Sequence, residues 1–192
     1  MDRTILFWRR TDAVGLERLE LTVAADGIAA AGTMLGVEHG GFRLEHRWRL
    51  TRDWRAISVE VERWGSESHS RLVVERDGDG WRVDGLHRPD LDGAEEPDLS
   101  ATPFCNTLPI RRLPAAADAT WTLDTCYVDA DTMRVVRSRQ RYTRLGPRRV
   151  RYLDLGTSAG FQAELDVDDE GLVTRYEHLF ERVEPGPVSP RP

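Results

Sequence analysis

The chain contains no lysine: all 27 of its basic residues are arginine. That absence excludes Schiff-base chemistry and any mechanism built on a lysine ammonium group. Cysteine is scarce as well. Cys105 and Cys126 are too few for a disulfide framework or a cysteine-only zinc centre, and both are read as reduced thiols. The five histidines lack the i, i+4 spacing of a metal-binding helix, so neither a metal nor a cofactor is expected. No stretch approaches the roughly 18 consecutive apolar residues of a helical membrane span. The opening MDRTILFWRR has neither the apolar core nor the small-residue cleavage site of a signal peptide, which points to a soluble, cytoplasmic protein. An excess of positive charge is also missing: 27 basic against 33 acidic residues give a net charge of -6, so no nucleic-acid partner is expected. No catalytic signature of known spacing occurs.

What the chain does contain is alternation. Phe42, Leu44, His46, Trp48 and Leu50 are interleaved with Arg43, Glu45, Arg47 and Arg49, the pattern of a strand with one buried face. Ile57, Val59 and Val61 repeat it, as do Phe161, Ala163, Leu165 and Val167. Turn residues punctuate these runs at Asp26-Gly27, Gly40-Gly41, Asp77 to Gly80, Gly146-Pro147 and Glu170-Gly171, so consecutive antiparallel hairpins are predicted. With 192 residues and 40% hydrophobic content, one domain over residues 1–184 can bury a real core. Residues 185–192, with four prolines, are predicted to be a disordered tail. The acidic stretch from His87 to Asp98, broken by Pro89 and Pro97, reads as a surface loop joining two halves.

The strand rhythm stops at Thr102 to Leu113, TPFCNTLPIRRL. Ser100 or Thr102 can cap a helix there, with Pro103 in its first turn and Phe104, Leu108 and Ile110 facing inward. The predicted fold is therefore all-β, a long antiparallel sheet curled over one short helix.

The same string carries a family resemblance. TPFCNTLPIRRL, Gln140-Arg141-Tyr142-Thr143 and DVDDEGLVTRY at 166–176 resemble conserved-looking strings of the putative glycolipid-binding protein family, formerly a domain of unknown function. The resemblance implies a many-stranded spiral β-roll around a single α-helix, a homodimer, and a glycolipid or other amphipathic small molecule as ligand, held without catalysis. A rival reading is an interaction module with a fully packed core and no ligand; a small-metabolite enzyme ranks behind both.

Several residues are candidates for the ligand site. Asn106, Thr107, Arg111 and Arg112 offer amide, hydroxyl and guanidinium groups suited to an anion or a sugar. The alternative is that these arginines pair with carboxylates of the 90–98 segment. His46 and Trp48 share one apolar face, where the histidine either lines a pocket or is hydrogen-bonded in the core. Tyr142, with Tyr152, Phe161 and Tyr176, offers stacking surfaces, the alternative being plain core filling. Trp8 and Trp64, near strand ends, are the tryptophans expected at a cavity mouth or dimer contact. The acidic clusters 129–131 and 166–170 read as solvated turns.

Overall fold

The computed structural model describes residues 2–186, and the expected tail beyond Gly186 lies outside the described residues. Eight strands precede the helix's lead-in: β1 (Asp2–Arg10), β2 (Gly15–Ala24), β3 (Gly27–Gly36), β4 (Phe42–Leu50), β5 (Ala56–Gly65), β6 (His69–Asp77), β7 (Gly80–Val83) and β8 (Leu86–His87). Then come β9 (Glu96–Leu99), the helix α1 (Phe104–Arg112), β10 (Thr120–Val128), β11 (Val135–Gly146), β12 (Arg149–Asp154), β13 (Gln162–Val167), β14 (Val173–Tyr176) and β15 (Phe180–Arg182).

All fifteen strands form one sheet in the order β8-β7-β6-β5-β4-β3-β2-β1-β15-β14-β13-β12-β11-β10-β9. The two chain ends meet in its middle, where β1 pairs antiparallel with β15. Every neighbouring pair is antiparallel except β9 and β10, which run parallel because the helix intervenes between them. Each predicted turn does separate two strands.

The sheet curls until its far edge lies against its first half. Trp81 Nε1 donates to the carbonyl of Ala94 at 2.9 Å, the Ala56 amide donates to Glu96 at 2.8 Å, and Arg76 donates to the carbonyl of Glu95 at 2.6 Å. These side chains close the roll where no strand ladder does. The segment read from sequence as a surface loop is exposed at His87, Pro89, Asp90, Asp92 and Gly93, but turns inward at Leu91 and from Ala94 on, where Ala94, Glu96 and Pro97 are buried. Pro97 is tolerated in β9 because that strand is the sheet's edge and one of its ladder donors is dispensable.

Alternation sets the core. Leu44, His46, Trp48 and Leu50 point inward while Arg43, Arg47 and Arg49 face solvent. Ile57 departs from expectation. Arg49 pairs with Ser58 but Leu50 pairs with Ala56, so a bulge turns Ile57 outward and places Ala56 inside. Trp8 departs too: it is fully buried, donating from Nε1 to the Val173 carbonyl at 2.8 Å, and reaches no cavity mouth.

The helix fills the roll. Every residue from Phe104 to Ile110 is buried, so α1 is enclosed on all sides rather than packed on one stripe. Its start is fixed by Thr102, whose hydroxyl accepts from the Phe104 amide at 3.1 Å. Its end is held by Arg144 of β11, which donates to the carbonyls of Ile110, Leu113 and Pro114 at 3.1, 3.3 and 3.0 Å. Phe104 packs against Trp48 and Trp54 with ring centroids 5.8 and 6.4 Å apart. The acyl-sized hollow around the helix that an amphipathic-ligand carrier would need is occupied by these side chains.

Candidate binding site

Besides a hollow at the helix's last turn lined by Ile110, Arg111 and Arg144, space remains between the first turn of α1 and strands β12 to β15. A cavity of about 230 Å³ opens there, below the few hundred Å³ typical of small-molecule sites. Its deepest polar walls are Thr102, Asn106 and Asp154, all buried. Asp98 also faces it, and Tyr152, Tyr176 and Phe180 form an aromatic side. Ser100, Tyr127, Ser158, Phe161 and Leu179, less buried, stand toward its mouth.

Each polar wall is held from behind. Asp98 leaves β9 into the interior, where Cys105 Sγ–H donates to one oxygen at 3.0 Å and the Gln140 amide donates to the other. Burial pushes the Asp98 carboxyl above the usual range, Asp154 adds to that, and the two donors oppose it. The Cys105 thiol is driven well up, first by burial and then by Asp98, which makes it an inert hydrogen-bond donor rather than a nucleophile. Asp154 ends β12 in the inward register set by Val150 and Tyr152, and accepts from the Gly156 amide at 2.6 Å. Asn106 Oδ1 accepts from the Tyr142 hydroxyl at 2.8 Å, leaving the amide NH2 with long contacts of 3.5 and 3.7 Å only. Burial raises the Tyr142 and Tyr176 phenols well above their ordinary value, so both stay protonated donors.

A second polar chain reaches the cavity from the first half of the sheet. Trp48 Nε1 donates to His46 Nδ1 at 2.9 Å, which fixes the ring hydrogen on Nε2. That atom lies 2.9 Å from Glu17 Oε1, which also accepts from the Thr102 hydroxyl at 2.8 Å. Glu17 and His46 are fully buried, and Glu17 Oε2 has no hydrogen-bond partner among the described residues.

The seven candidates from sequence are distributed unevenly around this site. Asn106 lines the cavity. Tyr142 stands behind Asn106, and His46, with Trp48 behind it, connects through Glu17 to Thr102. Thr107, on the same helix, is fully buried but does not line the cavity, and its hydroxyl lacks a partner among the described residues. Arg111 lies over the Trp54 ring at 4.2 Å and donates to the Glu170 carbonyl. Arg112 pairs with Glu96 and stacks on Trp121 at 4.9 Å. Neither arginine reaches the cavity; Arg112 takes the alternative role of a partner to the 90–98 segment. Tyr152, Phe161 and Tyr176 do line it.

Asp98, Asp154, Gln140 and Glu17 were not among the site candidates read from sequence. The signal was present for Asp154 and Glu17, which occupy the inward phase of strands whose other inward residues are apolar or aromatic, whereas Gln140 shares its strand's inward face with Ser138, Tyr142 and Arg144. The acidic clusters form turns as expected, Asp129 Oδ1 accepting from the Asp131 and Thr132 amides and Asp168 Oδ1 from those of Glu170 and Leu172. Among the described residues no group of three or more metal-type side chains converges, and no helix is long and apolar enough to cross a membrane.

The chain is similar to a solved structure, a crystal structure of a DUF1089 family protein from Pseudomonas aeruginosa. The two are 31% identical and superpose with a TM-score of 0.76 over 87% of this chain and 92% of that one. No curated protein matches the sequence. Residues 5–182 match a family described as "Putative glycolipid-binding". The match spans nearly the whole chain, and the protein belongs to that family.

Proposed function

We propose that the protein binds the polar head of an amphipathic small molecule, a glycolipid in keeping with its family, in the cavity beside the first turn of α1. Binding sequesters the molecule and makes or breaks no bond. The observation that carries this reading is the pairing, in one cavity, of buried hydrogen-bonding groups on Thr102, Asn106 and Asp154 with an aromatic side made by Tyr152, Tyr176 and Phe180. Acceptors and an amide suit hydroxyl groups, and aromatic faces suit the C–H faces of a sugar ring. A volume of about 230 Å³ takes a head group and leaves the tail outside, over Phe161 and Leu179 at the mouth. Of the polar candidates read from sequence, Asn106 keeps its place in this arrangement, while Arg111 and Arg112 have none.

Calorimetric titration with n-octyl β-D-glucopyranoside tests the reading. Saturable one-site binding is expected, weakened at least about ten-fold by Asn106→Leu, which removes one buried polar contact and fills the deep end. Binding that ignores this substitution, or no saturable binding, contradicts it. The reading keeps the homodimer that the family resemblance implies, which light scattering on the purified protein tests.

A further inference from the structure

We propose that the head group taken by this cavity carries a protonated amine, as an amino sugar does; the proposal deepens the binding reading above and rests on it. The cavity walls contain two carboxylates, Asp98 and Asp154, and no arginine or histidine. In a chain with 27 arginines that is a pronounced local imbalance. Buried Glu96, by contrast, is paired with Arg112, and buried Glu17 meets His46. Asp98 and Asp154 have no ion-pair partner among the described residues, only the neutral donors Cys105, Gln140, Tyr152 and the Gly156 amide. A buried carboxylate without a counter-ion is costly, and an incoming cation relieves that cost.

The remaining walls suit the same guest. Tyr152 and Tyr176 pack edge to face at 5.9 Å, Phe161 and Phe180 flank Tyr176 at 6.5 and 6.4 Å, and such aromatic walls attract a cationic nitrogen. Tyr176 is only 6% exposed, lines the cavity, and its hydroxyl has no hydrogen-bond partner among the described residues. It is free to serve a ligand hydroxyl. A phosphate or sulfate head, by contrast, would meet two carboxylates and no guanidinium, because Arg111, Arg112 and Arg144 are engaged elsewhere. A primary ammonium fits better than a quaternary one because the acceptors on Asp98 and Asp154 call for N–H donors.

Three matched probes test this: n-octyl β-D-glucopyranoside, its 2-amino-2-deoxy counterpart at a pH where the amine is protonated, and the N-acetylated form of that amine. Calorimetry should show the amine binding about ten-fold tighter than either uncharged probe, the scale of one desolvated cation contact. Asp154→Asn should shrink that preference, with circular dichroism confirming the fold. Equal or weaker binding of the amine overturns the proposal while leaving the head-group reading intact. A preference for the amine that survives in both Asp98→Asn and Asp154→Asn also overturns it. Failure of all three probes to bind overturns both readings.

Discussion

His46 reaches across an entire strand to meet Glu17: the two side chains, on β4 and β2, lie 2.9 Å apart above Gly32 of the intervening β3. A side chain on Gly32 would occupy the imidazole's place, because a Cβ built there overlaps His46 Nε2 and Cε1. Gly32→Ala is therefore expected to break the contact or displace the histidine, at a cost of about 1–3 kcal/mol. Urea denaturation of the variant measures it, and unchanged stability would show that the site yields freely.

The ion pair between Arg112 and Glu96 makes a second prediction. Glu96 is 1% exposed, and burial raises its carboxyl against the opposing pull of Arg112. Arg112→Leu leaves that acid with only the more distant Arg76, 3.9 Å away, as counter-ion and should cost about 3 kcal/mol. Replacing both residues with leucine should cost less than Arg112→Leu alone, since no charge is then left buried. A double-mutant cycle in chemical denaturation checks the ordering; additive losses would contradict it.

Asp98 gives the stability a signed dependence on pH. Its folded-state carboxyl is raised, so the native protein holds this proton after the unfolded chain, titrating near the ordinary 3.8, has lost it. The resulting contribution is full at low pH and is lost as pH rises through the folded value. Relative to Asp98→Asn, the wild type should therefore lose stability as pH rises above about 4. Denaturation midpoints of both proteins across that range test this, and a wild type gaining on the variant would refute it.

Arg144 holds the C-terminal end of α1 through three carbonyls. Arg144→Met keeps the aliphatic bulk and removes the donors, and should cost about 1–3 kcal/mol. Hydrogen exchange should localise the loss to residues of the helix's last turn and the segment 113–119; uniform loss across the sheet would contradict a capping role.

Much of this architecture was legible because alternation and turn residues are local. The β4 run from Phe42 to Leu50 and the five turns are decided within a few residues, and each is where the sequence placed it. The helix was legible from the interruption at Thr102 to Leu113, although its enclosure was not, since that depends on how far the sheet curls. β9 was misread because its acids and prolines look solvated: Glu96 is interior because Arg112, sixteen residues away, and the Ala56 amide, forty away, come to meet it. The site suffered most from the same limit. Glu17 and His46 are 29 residues apart, and Asp98 and Gln140 are 42 apart, so their partnership is a property of the closed roll. Glu17 and Asp154, polar residues in the inward phase of otherwise apolar strands, were the available clue.

The central claim is that the cavity between Asn106, Asp154 and Tyr176 receives the head of an amphipathic molecule. Its most direct test is a crystal structure of the protein soaked with n-octyl 2-amino-2-deoxy-β-D-glucopyranoside. The sugar ring is predicted beside Asn106 and Tyr176, with the amine toward Asp98 and Asp154 and the alkyl tail leaving past Phe161 and Leu179. An empty cavity, with the glycoside seated elsewhere on the sheet, would contradict the account.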